Sequence, residues 1–124
     1  MVARGELVYA VLNKFPYNPG HLLICPYRHV AEYTELTDDE VAEFSAFTQT
    51  SMRVLRESSG PGGFNIGMNQ GAVSGAGIAA HLHQHVVPRW LGDTNFMTAI
   101  GDTRVLPQLL EQTRDILSAQ WQES

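Results

Sequence analysis

Three histidines alternate with other residues in the segment 81–87, which reads HLHQHVV. A two-residue period beside a β-branched pair is typical of a strand, and a strand points every second side chain to the same face. We therefore predict that His81, His83 and His85 share one face, with neighbouring rings about 6 to 7 Å apart. Imidazoles titrate near neutral pH and need hydrogen-bond partners, so this segment is a candidate for chemistry.

Two kinds of chemistry could use such a row of histidines, namely metal binding and nucleophilic catalysis, and each requires a different arrangement of the rings. Zinc needs three or four donors that converge at about 2.0 to 2.1 Å. His81 and His85 would lie about 13 Å apart on a straight strand, so three rings cannot share one ion. We therefore predict no metal site and no cofactor. Nucleophilic catalysis needs one attacking imidazole, neighbours that orient it and donors for the oxyanion. A purely structural strand is the third interpretation.

Longer stretches of the chain resemble the histidine triad (HIT) superfamily of nucleotide hydrolases and nucleotidyl transferases. The segment 18–30 (NPGHLLICPYRHV) is similar to the one that precedes the triad in that family. The sequence NQG at 69–71, a glycine-rich loop and the three histidines then follow in the family's order. The continuation 88–97 (PRWLGDTNFM) resembles the branch of bacterial diadenosine tetraphosphate phosphorylases and related hydrolases.

The rest of the chain supplies the elements that must position these residues. Apolar and alternating patterns predict four strands, at Glu6–Leu12, His21–Cys25, Phe64–Asn69 and His81–Arg89. A capping box at residues 37–40 opens a helix to about Glu57, and Pro107 begins a second helix to about Trp121. The second helix is expected to bury Leu109, Leu110, Thr113, Ile116, Leu117 and Trp121.

This order of elements predicts one α+β domain over residues 1–124, with a mostly antiparallel sheet and two main helices packed on one side. The resemblance implies that this is the HIT fold, which is usually a homodimer with the sheets of two subunits joined. Relatives in the same branch usually carry an upstream segment that walls the base pocket. We expect this chain to lack that segment, because its first strand starts close to Met1.

Composition narrows the class of partner. A net charge of −5 argues against a general nucleic-acid binder, which would carry a basic stripe. No apolar run approaches the 18 or more residues of a membrane span, and Glu6 interrupts the apolar stretch that a signal peptide needs. The lone cysteine, Cys25, reads as a buried small hydrophobe. We therefore expect a cytoplasmic protein that binds neither nucleic acid nor membrane.

The resemblance also implies roles for the histidines. It makes His83 the nucleophile that attacks the α-phosphorus and becomes a covalent nucleotidyl-histidine. His85 would sit by the phosphate and the leaving oxygen, while His81 and His21 would form a supporting hydrogen-bond layer. His29 follows Arg28 near the end of the segment 18–30, and we expect it to be a surface or cap residue.

Substrate-binding roles follow from the same comparison. Asn13, eight residues before His21, matches an Asp or Asn that binds ribose hydroxyls. Phosphate contacts fall on Asn69, Gln70 and a glycine-rich loop whose small residues let backbone amides approach a phosphate, namely Gly71, Ser74, Gly75 and Gly77. Arg89 would contact distal phosphates and Trp90 would stack on a base.

One departure concerns the loop. Many members carry Gln and then Ser or Thr, or a Ser, just before the triad, where this chain has Gly77 and Ile78. The phosphate-side hydroxyl must then come from elsewhere, such as Ser74, or be replaced by a backbone amide.

These expectations converge on nucleotidyl transfer from a dinucleoside polyphosphate through nucleotidyl-His83. Inorganic phosphate (in a phosphorylase) or water (in a hydrolase) is the acceptor. Two alternatives stay open: a regulatory nucleotide-binding HIT protein with little turnover, and a purine nucleoside phosphoramidate-type hydrolase.

Overall fold

A computed structural model describes residues 1–13, 20–74, 81–92 and 106–123. Within these ranges the chain forms five strands, β1 (Ala3–Arg4), β2 (Val8–Leu12), β3 (Leu22–Pro26), β4 (Gly63–Gly67) and β5 (Gln84–Arg89). It also forms two α-helices, α1 (Asp38–Ser59) and α2 (Leu106–Glu123). None of the described helices is long and apolar enough to cross a membrane.

The five strands form one antiparallel sheet in the order β1-β2-β3-β5-β4. This confirms the predicted α+β class and the antiparallel sheet. The short β1, which pairs with Tyr9 and Ala10 of β2, was not predicted. Two residues are too few to show a hydrophobic period, so nothing in the sequence distinguishes β1 from a turn.

The predicted capping box starts α1. Thr37 Oγ1 accepts a hydrogen bond from Glu40 N at 3.2 Å, and Glu40 Oε1 accepts one from Thr37 N at 2.8 Å. The helix runs to Ser59, slightly past the predicted end near Glu57, and Gly60 closes it in the left-handed conformation with φ of 58°. Both ends are therefore fixed by local sequence signals.

The core lies between the helices and one face of the sheet. It is built from buried side chains of three strands and both helices, including Val8, Ala10, Leu22, Ile24, Val86, Phe44, Val54, Leu55 and Leu117. The prediction that Ile116 is buried is wrong, because its side chain is 53% exposed. Adjacent residues point about 100° apart around a helix, and Leu117, not Ile116, belongs to the buried core.

Strand β5 begins at Gln84, so the predicted start at His81 is too early. The last residue pair between β3 and β5 joins Ile24 to Gln84. Further pairing would need a backbone N–H from Pro26, and proline has none. The preceding segment instead lies against the segment that follows β3, where Leu82 N donates to Val30 O at 2.8 Å.

Candidate active site

His85 lies at the centre of the sheet face that points away from the helices. Its neighbour on β5, Gln84, points the other way and accepts a 2.7 Å hydrogen bond from Thr48 of α1. His85 pairs with Leu23 on β3 and with Gly67 on β4. Directly paired residues share a face of the sheet, so His85 stands between an apolar side chain and a glycine.

The apolar side of this face extends to β2. Leu23 pairs with Val11, and both side chains are half-buried. They form an apolar surface beside His85, and neither residue was among the predicted site residues. The alternation of β2 and β3 could have shown it, because Leu23 and Val11 each fall on the face opposite their buried neighbours.

A hydrogen-bonded series joins Asn13, His21 and His85. The amide nitrogen of Asn13 lies 3.3 Å from His21 Nδ1, and His21 Nε2 lies 2.8 Å from His85 Nδ1. An amide nitrogen can only donate, so His21 Nδ1 is an acceptor and its proton is on Nε2. His21 therefore donates to His85 Nδ1, which leaves the proton of His85 on Nε2 as a donor.

His83 has the opposite tautomer. Its Nδ1 lies 2.9 Å from the backbone oxygen of His81, which can only accept, so Nδ1 carries the proton. The lone pair is then on Nε2. The rings of His83 and His85 are 4.9 Å apart at 74°. The site thus places a nucleophilic nitrogen beside a ring whose Nε2–H is a donor.

Burial keeps the rings of His21 and His85 uncharged. His21 is 3% exposed, and burial, assisted by His85 and His83, lowers its pKa from 6.5 to about 4. Burial also lowers the pKa of His85, with a smaller contribution from His83. Both rings are therefore neutral at pH 7, as the hydrogen-bonded series requires.

His81 does not join His21 in one supporting layer, contrary to the expectation from the sequence. Its Nε2 donates to Pro26 O at 2.6 Å, and its Nδ1 lies 3.3 Å from Nδ1 of His29. The exposed His29 ring packs on it with centroids 5.1 Å apart. His81 supports His83 through its backbone oxygen rather than its ring.

The predicted phosphate-binding residues follow β4. Asn69 is exposed, and Gln70 Oε1 accepts a 2.5 Å hydrogen bond from Tyr33 N. Gly71 adopts a φ of 78° before a short 3₁₀ turn, in which Ser74 Oγ lies 2.7 Å from Gln70 O and 2.8 Å from Gly71 O. Gly75 and Gly77 lie outside the described residues. The phosphate roles of this segment stay predictions.

The last two predicted binding residues end the triad segment. Arg89 Nη1 donates to Asn65 Oδ1 on β4 at 2.6 Å, and this partner was not anticipated. Trp90 Nε1 donates to Ser59 O at 3.3 Å, which places the indole nitrogen at the end of α1. Base stacking by Trp90 stays a prediction.

The sheet and its two histidines define an α+β domain with a site suited to nucleophilic attack. The chain belongs to the HIT domain family, whose match covers residues 1–90. It is 58% identical over 121 residues to a Mycobacterium tuberculosis protein named AP-4-A phosphorylase, covering 98% of this chain and 62% of that protein. It is 32% identical over 84 residues to the bis(5'-adenosyl)-triphosphatase of Dictyostelium discoideum, covering 68% and 56% of the two. The chain thus spans less than two thirds of either relative.

Solved structures agree with the fold. A zinc-bound histidine triad family protein from Mycobacterium smegmatis matches with a TM-score of 0.77 and 28% identity, over 98% of this chain and 83% of that one. A hypothetical histidine triad nucleotide-binding protein from Sulfolobus tokodaii matches with a TM-score of 0.80 and 24% identity, over the same shares. The second likeness concerns the fold alone.

The M. smegmatis protein is described as zinc-bound, which raises the question of metal ligands among the described residues of this chain. Within those ranges, no three His, Cys, Asp or Glu side chains are grouped so that they could hold a metal ion. The contact between His29 and His81 supplies two donors, fewer than zinc requires.

Proposed function

We propose that this domain catalyses nucleotidyl transfer from dinucleoside polyphosphates, with diadenosine tetraphosphate as the type substrate. The observation that carries the proposal is the pairing of a lone pair on His83 Nε2 with an N–H on His85 Nε2, in rings 4.9 Å apart. The 58% identity to a protein named AP-4-A phosphorylase supports the choice of substrate class.

In this proposal, different parts of the substrate bind to different parts of the sheet face that carries His85. We place the base on the apolar surface of Val11 and Leu23, and the ribose on Asn13 at the end of β2. The α-phosphate then lies over the His83 and His85 rings. The segment 69–77 supplies further phosphate contacts through the residues predicted from the sequence, namely Asn69, Gln70, Gly71, Ser74, Gly75 and Gly77.

The first step is attack of His83 Nε2 on the α-phosphorus. A P–N bond forms, the P–O bond to the departing nucleoside triphosphate breaks, and His83 becomes a positively charged nucleotidyl-imidazolium that retains its Nδ1 proton. The His81 backbone oxygen accepts a hydrogen bond from the Nδ1–H of His83 and so stabilises the positive charge on the ring. His85 Nε2–H hydrogen-bonds the leaving oxygen, whose charge a polyphosphate can hold without taking up a proton.

The second step returns His83 to its starting state. We propose that inorganic phosphate attacks the nucleotidyl group, so that a P–O bond forms, the P–N bond breaks and ADP is released beside ATP from the first step. Water would give AMP instead. The resemblance of residues 88–97 to the phosphorylase branch favours phosphate. We further propose that the protein is a cytoplasmic homodimer, as the family resemblance implies.

Product analysis of the purified domain tests this proposal. With diadenosine tetraphosphate and millimolar phosphate, we expect ADP and ATP, and a sharp drop in rate without phosphate. The His83→Ala variant should lose on the order of 10³-fold or more in turnover because the nucleophile is gone. It should still bind nucleotide, since base, ribose and phosphate contacts remain.

Each alternative gives a different result in the same assay. AMP and ATP at a rate independent of phosphate would identify a hydrolase with the same nucleophile. Nucleotide binding without turnover would favour a regulatory protein, and turnover restricted to a phosphoramidate would favour the third class. If His83→Ala kept a tenth of the wild-type rate, His83 would not be the nucleophile.

A further inference from the structure

Gln84 separates His83 from His85 in the sequence, and its side chain points to the helix side of the sheet, where it bonds to Thr48 of α1. We propose that Thr48 and Gln84 are positioning residues for the nucleophile. Their hydrogen bond fixes the backbone that follows His83 and so holds the attacking ring in place. The inference rests on the proposed function, because it assigns these two side chains a role in the attack by His83.

His83 lies just before the strand rather than within it. Strand β5 begins at Gln84, and its last pair with β3 joins Gln84 to Ile24. Its last pair with β4 joins His85 to Gly67. Among the described residues, sheet pairing therefore stops immediately after His83 on both sides. Other contacts must fix the backbone of the nucleophile.

Both chain neighbours of His83 supply such contacts. Leu82 is 2% exposed and belongs to the core, and its N–H donates to Val30 O at 2.8 Å. Gln84 is half-buried, and its Oε1 accepts from Thr48 Oγ1 at 2.7 Å. Leu82 is thus anchored by packing and a backbone bond, and Gln84 by a side-chain bond to α1. The backbone of His83 is held between these two anchors.

The bond between Thr48 and Gln84 fixes direction as well as distance. Thr48 Oγ1 also lies 3.0 Å from Phe44 O, one helical turn back, so the helix itself orients the hydroxyl. Phe44 is buried in the core, which anchors this turn of α1. A short hydrogen bond has a preferred angle, whereas an apolar contact has none. Direction matters here because a displacement of about 1 Å at a reacting group can cost on the order of 10²-fold in rate.

Thr48→Val tests the inference, because valine keeps the shape of the side chain and removes the hydroxyl. With diadenosine tetraphosphate, kcat should fall about tenfold or more and KM should change less than about twofold, since the substrate contacts remain. Thr48→Ser retains the hydroxyl and should restore kcat. Thr50→Val is the matched control. It makes the same change on the same helix, where the hydroxyl accepts from the exposed Arg53, and it should keep the wild-type kcat.

A double variant separates positioning from stability. Thr48→Val leaves the Gln84 oxygen without its donor, so the urea midpoint of unfolding should fall. Adding Gln84→Met makes both partners apolar, and the midpoint should return to the wild-type value. The value of kcat should stay as low as in Thr48→Val, because the directional bond is still missing. Recovery of kcat together with the midpoint, or an unchanged kcat in Thr48→Val, would overturn the positioning role.

Relaxation dispersion at the Cε1 carbon of the His83 ring gives a measurement that needs no turnover. We expect exchange on the microsecond to millisecond timescale in Thr48→Val and a flat profile in the wild-type protein, Thr48→Ser and Thr50→Val. The exposed His29 ring is the internal reference and should be the same in all four proteins. A flat His83 profile in Thr48→Val would overturn the inference. A wild-type protein without turnover would instead contradict the proposed function.

Discussion

At the residue scale, His21 decides which protons the site carries. Its ring is buried between Asn13 and His85, and the two hydrogen bonds fix its tautomer. A charged His21 would carry a proton on Nδ1 and could not accept from the Asn13 amide. The depressed pKa of about 4 therefore couples the proton arrangement of the site to folding.

This coupling predicts the pH dependence of stability. Between pH 6.5 and about 4 the unfolded chain binds a proton at His21 that the folded chain does not, so acidification favours unfolding. From pH 7 to pH 4.5, this residue should lower the free energy of unfolding by about 2 kcal/mol. Urea unfolding across this range measures it, and His21→Gln should lose that part of the dependence.

His29→Gln supplies the comparison, because His29 is exposed. It should keep the wild-type pH dependence. Equal slopes for His21→Gln and the wild-type protein would show that His21 is not held neutral in the folded state.

At the element scale, Glu40 attaches the start of α1 to the segment after β3. Besides closing the capping box, it accepts from Arg28 Nη2 at 2.8 Å, and the same nitrogen donates to Glu35 O at 2.6 Å. The Arg28 side chain and the Thr37 backbone lower the pKa of Glu40 to about 2. The carboxylate is buried, charged and fully engaged at pH 7.

We therefore expect Glu40→Ala to lower the free energy of unfolding by about 2 kcal/mol at pH 7, since the helix loses half its capping box and Arg28 loses its partner. Glu57→Ala, an exposed position in the same helix, should change it by less than about 0.5 kcal/mol. Urea unfolding compares the two. Similar values for both variants would mean that the capping network contributes little.

At the scale of the whole molecule, the sheet ends at a five-residue strand. In the described part of the chain, β4 is an edge of the sheet, and Asn65, Ile66 and Gly67 are exposed there, with Ile66 at 41%. An edge strand presents unpaired backbone groups that a second copy can extend. This is the surface through which the proposed homodimer would join its sheets.

Light scattering at micromolar concentration should therefore give about twice the chain mass of 13.7 kDa. Ile66→Glu should shift the protein toward the monomer, because a charge is costly to bury at a joined edge. Ile116→Glu, at an exposed position of α2, should leave the mass unchanged. A wild-type monomer would contradict the dimer and leave the histidine chemistry intact.

Local sequence signals predicted most of the secondary-structure elements. Both ends of α1 follow from Thr37, Glu40 and Gly60, whose effects extend over a few residues. The alternation around His83 and His85 located the site, and the motifs at 18–30 and 69–71 identified the family. The helix ends could be predicted because hydrogen bonds between near neighbours in the sequence determine them, and the histidine segment could be predicted because its two-residue period is itself a local pattern.

The hydrogen bonds that those histidines make depend on the packed sheet. His21 and His85 are 64 residues apart in sequence, and only the register of β3 against β5 brings their nitrogens to 2.8 Å. The pairing of β4 with β5 also brings Arg89 Nη1 to 2.6 Å from Asn65 Oδ1, and the absence of an N–H on Pro26 turns His81 away from the sheet. Residue types and their spacing were enough to predict which side chains carry the chemistry. Which nitrogen of His85 holds the proton depends on His21, a partner distant in the chain, and only the folded sheet supplies it.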